Sequence, residues 1–234
     1  MTSAASTRHR PVPLALLAAL AILTGLFVAF APSHDHAAAA DHPGHDPASS
    51  AGLPTADRVA LHDQMRKLWE DHVTWTRLAI VTFADGSGGF NATAGRLLQN
   101  QVDIGDAIKP FYGDAAGNQL TSLLHDHITI AVELLQAAKA GDTAAFNDAN
   151  TRWYANANQI ADFLSAANPR SWPDDAMRAA MKEHLDQTLA EASDELHGDY
   201  AASVQDYEGI HQHMLAVADL ISAGIMRQFP SDFH

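Results

Sequence analysis

Imidazole exchanges protons and binds transition metals near neutral pH, and four imidazoles of this chain sit inside apolar helical stripes. Around His72 the stripe runs Leu61, Met65, Leu68, His72, Trp75, Ala79, with steps of three and four that keep the side chains on one helix face. The same steps surround His127 (Leu120, Leu124, Ala131, Leu134) and His211 (Tyr207, Met214, Ala218, Ile221). His184 falls with Met177, Met181, Thr188 and Glu191. An imidazole in a core needs a polar partner, and a metal ion can serve several at once. Helical bundles build metal sites from inward His and carboxylate side chains. The expected ligands are therefore His72, Asp103, His127, His184 and His211, with Glu191 as a supporting neighbour about 10 Å further along its helix.

The residue inventory narrows the metal. The chain has no cysteine. That excludes thiolate sites, cysteine-held iron–sulfur clusters and covalently attached c-type haem. The paired E-x-x-H motifs of carboxylate di-iron bundles are also missing. Copper suits imidazole combined with thioether, and Met65, Met177, Met181 and Met214 lie on the histidine stripes. Zinc suits three or four imidazoles. The alternative is that each histidine is hydrogen-bonded inside a non-catalytic interaction or ligand-sensing bundle, with Asn100, Asp103, Tyr154, Asn156, Tyr207 and Asp219 as available partners. A third reading, a metal-dependent oxidoreductase, lacks an acid–base constellation. Ser-His-Asp, phosphate-loop and dinucleotide signatures are absent.

These side chains need helices to hold them. Helical periodicity predicts segments at about 55–84, 92–111, 115–139, 143–166, 174–196 and 200–228. Breakers separate them: Gly86 to Gly89, Tyr112-Gly113-Asp114, Gly141-Asp142, Asn168 through Pro173, and Gly198-Asp199. Pro110 is expected to kink or end the second segment. No alternating strand pattern is present. His72, His127 and His184 each precede a glycine (Gly86, Gly141, Gly198) by 14 residues. Three histidines thus stand about 21 Å above a turn. The expected fold is all-α, a six-helix bundle of three antiparallel hairpins over 55–234, with a polar layer through its middle.

Residues 1–31 read as a signal peptide or membrane anchor. Arg8 and Arg10 flank an uncharged apolar run from Val12 to Ala31, which is long enough to span a bilayer. The positive flank places the bulk outside the cytoplasm. Residues 32–54 form a disordered linker containing His34, His36, His42 and His45 among aspartates. The formal net charge is −14, which repels nucleic acid and anionic lipid and suits cations.

Four segments carry a resemblance: L-W-E-D-H-V-T-W-T-R (68–77), L-L-Q-N-Q-V-D-I-G (97–105), K-P-F-Y-G (109–113) and G-I-M-R-Q-F-P (224–230). They resemble an uncharacterised family of bacterial all-helical, often exported proteins, over about residues 58–230. The resemblance implies a shared helical fold and no assured activity. It touches Trp69, His72, Asp103, Tyr112 and Phe229, and leaves His127, His184 and His211 outside its segments. The function expected from the residues is extracytoplasmic transition-metal binding, for handling, storage or sensing of copper or zinc. The partners expected are the metal ion and, through the N-terminus, a membrane.

Overall fold

Three turn-forming signals set the frame of the bundle, which a computed structural model describes for residues 55–233. The expected signal or anchor segment and the His-rich linker lie outside the described residues. Helix α1 spans Ala56–Ala84, α2 Phe90–Ala140, α3 Thr143–Ala167, α4 Asp174–His197 and α5 Tyr200–Gln228, followed by a short 3-10 turn at Pro230–Asp232. No strand occurs among the described residues, so the all-α class holds. No helix among them is long and apolar enough to cross a membrane.

Local chemistry accounts for the ends. The side chains of Thr55, Asp142 and Asp199 accept bonds from Arg58 N, Ala145 N and Ala202 N, capping α1, α3 and α5. Gly141 and Gly198 close α2 and α4 in the left-handed conformation, where a side chain would be strained.

Five helices form where six were expected. The predicted segments 92–111 and 115–139 are one element, α2, interrupted only at Gly113 (φ 81°, ψ 166°). Pro110 lies inside its first arm and cannot donate to the preceding turn. The chain folds back on itself at Gly113. A Cβ added to either Gly105 or Gly117 would stand 2.6 Å from the other's carbonyl oxygen. In a straight helix those two residues would be about 18 Å apart. The break is real but needs one residue, because glycine alone reverses the chain without a loop.

Apolar packing then sets the heights of the helices. The main core joins residues of all five helices, including Met65, Ile104, Leu124, Ile160, Leu185 and Ile225. A separate cluster joins Ile80, Leu135 and Ala192. These three lie near the C-terminal ends of α1, α2 and α4, so the three ends share one level. Lys139 adds a tie at that level, donating from Nζ to the final carbonyls of α1 (Phe83 O 2.7 Å, Ala84 O 2.9 Å).

Candidate metal and ligand site

Counting back eight residues from Ile80, Leu135 and Ala192 reaches His72, His127 and His184. Eight residues are about 12 Å of helix, so the three imidazoles stand at a common depth. They meet there. The ring centroids of His72 and His184 are 5.7 Å apart, and those of His127 and His184 are 6.1 Å apart. All three are buried, at 2%, 3% and 3% exposure. His184 is the hub of the three.

The rings line a cavity of about 50 Å³ among α1, α2, α3 and α4. Its walls are otherwise apolar side chains such as Ile80, Leu97, Leu135 and Trp153, with Thr76 and Thr188. Both threonine hydroxyls donate back to their own helices, Thr76 Oγ1 to His72 O (2.7 Å) and Thr188 Oγ1 to His184 O (2.8 Å). Among the described residues, no carboxylate, lysine or arginine lines the space. The imidazoles are therefore its chemistry-bearing groups.

Burial keeps them neutral. Desolvation, then the field of His127, lowers the His72 pKa to about 3. Desolvation lowers His127 to about 4 against the opposing bond to Asn156. His184 is held well below the ordinary value by desolvation and then by His72, His127 and His213. A neutral imidazole offers one lone pair, the form that ligates metals.

Hydrogen bonds decide which nitrogen offers it. Asn156 Nδ2 donates to Leu123 O at 3.0 Å, which orients its amide. Its Oδ1 then faces His127 Nδ1 at 2.9 Å, so Nδ1 carries the proton and donates. His127 Nε2 is left as the lone pair. An Nδ1–H bonded to an oxygen is the usual support behind a ligating Nε2. Gln101 Nε2 donates to Leu97 O at 2.7 Å and lies 3.3 Å from both Asn100 Oδ1 and His72 Nδ1, so those two acceptors compete for its second proton. His184 Nδ1 is buried with no hydrogen-bond partner among the described residues. Gln101 Oε1 and the indole nitrogens of Trp69 and Trp153 are also buried without partners among them. Trp69 packs edge-on to His72 and Trp153 stacks on His127. Of these residues, His184 and Trp153 line the cavity.

Two expected ligands are elsewhere. His211 Nε2 pairs with Glu70 Oε1 at 3.1 Å, and its ring stacks on Tyr207. The buried face of α5 runs through Ile210, Met214, Val217 and Ile221, so His211 stands one residue off it. Asp103 likewise stands one residue before buried Ile104, held by Gln99 Nε2 (3.1 Å) and Arg96 (3.4 Å). Nor does any methionine of the described residues line the cavity. Met65, Met177, Met181 and Met214 fill the main core instead. The thioether signal for copper is thus a packing signal.

Glu191 belongs to a second buried polar cluster. Arg77 donates to Glu191 Oε1 (2.6 Å) and to Ser203 Oγ (3.0 Å), while Ser203 Oγ donates to Glu195 Oε2 (2.6 Å). Arg77 also packs over the Tyr207 ring. Burial outweighs the pull of Arg77 and raises the Glu191 carboxyl to about 7. The sequence offers no local sign of this network, because Arg77 and Glu191 are 114 residues apart. Gln101, wholly buried against His72, also escapes sequence reasoning. Its only sequence sign is its place four residues after Leu97 and seven before Ile108 on the inner face of α2.

No family model, curated protein or solved structure matches the chain. Among the described residues, no three His, Asp or Glu side chains already stand as a metal cage. Ligation by the three histidines therefore requires their rings to move from their present positions.

Proposed function

We propose that this chain binds one transition-metal ion, copper or zinc, through His72, His127 and His184, outside the cytoplasm. The observation that carries the reading is the buried, partnerless Nδ1 of His184 lying between two other neutral imidazoles. Two imidazoles on one ion, each bound at about 2 Å, have centroids roughly 5–6.5 Å apart. The separations of 5.7 and 6.1 Å each fall within that span for a single pair, and closing all three rings on one ion requires a further inward shift. The Asn156 bond to His127 supplies the orienting contact that such ligands carry. Export rests on the Arg8 and Arg10 flank and the apolar run after it. Handling or storage fits better than catalysis, because no acid or base of the described residues faces the cavity beyond the imidazoles themselves.

The test is elemental analysis of the full chain with His34, His36, His42 and His45 replaced by Ala, so that the tether cannot contribute metal. One equivalent of copper or zinc is expected, falling to background in His127→Ala. A folded, metal-free protein that takes up neither ion would reject the reading. A second reading then stands, a ligand-sensing bundle whose cavity takes a small neutral polar molecule. It is favoured by the protein partners that His72 and His127 already have.

A further inference from the structure

A second concave surface shares no lining residue with the imidazole cavity. It is a groove of about 560 Å³ between the first half of α1 and the first arm of α2, ended by the C-terminal turn. Leu61, Leu68, Phe111 and Phe233 are among the apolar side chains of its floor. The rings of Phe111 and Phe233 stack there, with centroids 5.7 Å apart and planes 20° from parallel. Around the floor stand four carboxylates, Asp57, Asp103, Asp106 and Asp232, and no lysine or arginine of the described residues lines the groove.

The four acids differ in what holds them. Arg96 faces Asp103 at 3.4 Å and Lys109 faces Asp106 at 2.6 Å, both from beyond the groove wall. Asp57 and Asp232 form no ion pair among the described residues, and Asp232 accepts from the Ser231 hydroxyl at 3.2 Å. Both are exposed. The floor also receives a cation already, since the Arg58 guanidinium lies 5.7 Å from the Phe233 ring centre.

An apolar floor calls for apolar side chains and a carboxylate rim calls for cations, so a fitting occupant carries both. Residues 32–54, just before α1, hold three aspartates, four histidines, one leucine and no lysine or arginine. They lack the charge. A second copy lacks it too, because each chain has a formal net charge of −14 and like charges oppose association. A small monocation would reach one carboxylate only. The lining runs along α1 from Asp57 to Leu68, about 16 Å of helix. An extended peptide covers that length with about five residues, at roughly 3.3 Å each.

We propose that this groove docks a short extended segment of a partner protein, with lysine or arginine residues flanking large apolar ones. The apolar side chains cover Leu61 and Phe111, and the long basic side chains reach Asp57 and Asp232 at the rim.

The experiment titrates the full chain with acetyl-Lys-Leu-Arg-Phe-Lys amide in a calorimeter. Expected is saturable one-to-one binding, weakened roughly 10-fold in the Asp57→Asn, Asp232→Asn double variant, whose circular dichroism should match the parent. The Asp126→Asn, Glu208→Gln pair removes the same charge outside the groove and should keep affinity within about twofold. A peptide with glycine in place of leucine and phenylalanine keeps the charge and should bind at least about 10-fold more weakly. Equal weakening by both variant pairs, or equal binding of the glycine peptide, would reduce the effect to attraction by an acidic surface and overturn the proposal. Spermidine competing as well as the peptide would assign the groove to a small cation. A synthetic peptide of residues 32–54 competing as well would assign it to the chain's own segment, and a dimer in sedimentation that Phe111→Asp abolishes would assign it to a second copy. Each of these outcomes, like an absence of saturable binding, overturns the proposal.

Discussion

The molecule buries two polar clusters, and they solve the same problem in opposite ways. At the Arg77 cluster every strong polar group has a partner: Glu191 on Arg77, Ser203 between Arg77 and Glu195. At the histidine cavity the groups are stripped of charge by burial, and one ring nitrogen is left with nothing to bind. A closed network stabilises an interior and leaves no valence for a ligand. An open one weakens the interior slightly and holds a valence in reserve. The difference separates a closed network at Arg77 from an open one at the histidine cavity.

Acid should separate the two most strongly. In metal-free protein the unfolded chain protonates its histidines below about 6.5, while folded His72 and His127 stay neutral down to about 3 and 4. Folded pKa values lie below unfolded ones, so the stability these groups contribute is present above about pH 6.5 and is lost as pH falls. Glu191 has the opposite sign. Its folded pKa of about 7 exceeds its unfolded value of 4.5, so its contribution is fullest below pH 4.5 and declines as pH rises to 7. Three imidazoles outweigh one carboxyl. The unfolding free energy of metal-free protein, from urea titrations, should fall on acidification by roughly 2–3 kcal/mol per pH unit between pH 6 and 5. A flat profile over that range would remove the distinction.

Arg77→Ala should come next. It leaves Glu191 buried without its cation, at a cost of about 3 kcal/mol in denaturant unfolding. Metal uptake by the folded fraction should not change. A joint loss of both would mean that the clusters act as one.

Asn156→Ala should cost about 1–2 kcal/mol by orphaning His127 Nδ1. It should also weaken metal binding by about 10- to 100-fold through the lost orientation of the ring. Unchanged metal affinity would show that the Asn156 bond serves packing alone.

The smallest expected change in stability is at His184→Leu. Removing a partnerless buried nitrogen should leave stability within about 1 kcal/mol of the parent, with a gain the expected direction. Metal binding should be abolished. A large destabilisation in calorimetry would place His184 in a satisfied network and contradict its role as the open group.

Position along each helix is legible in the sequence. The rise per residue is a local property, so three equal 14-residue spacings to glycine put His72, His127 and His184 at one height. Those glycines all have positive φ (66°, 69° and 80°), which their turns require. The caps at Asp142 and Asp199 and the break at Gly113 are likewise written in residue type. Rotation about the helix axis is not. His211 and Asp103 each lie one residue, about 100° of turn, from the buried positions Ile210 and Ile104. Helical spacing alone leaves that rotation open. Which face turns inward is settled by the neighbours packed against it, as are the pairings of Asn156 with His127 and Arg77 with Glu191. Heights and turns follow from local chain geometry, while facing and partnership follow from contacts between residues far apart in the chain, which only the packed bundle brings together.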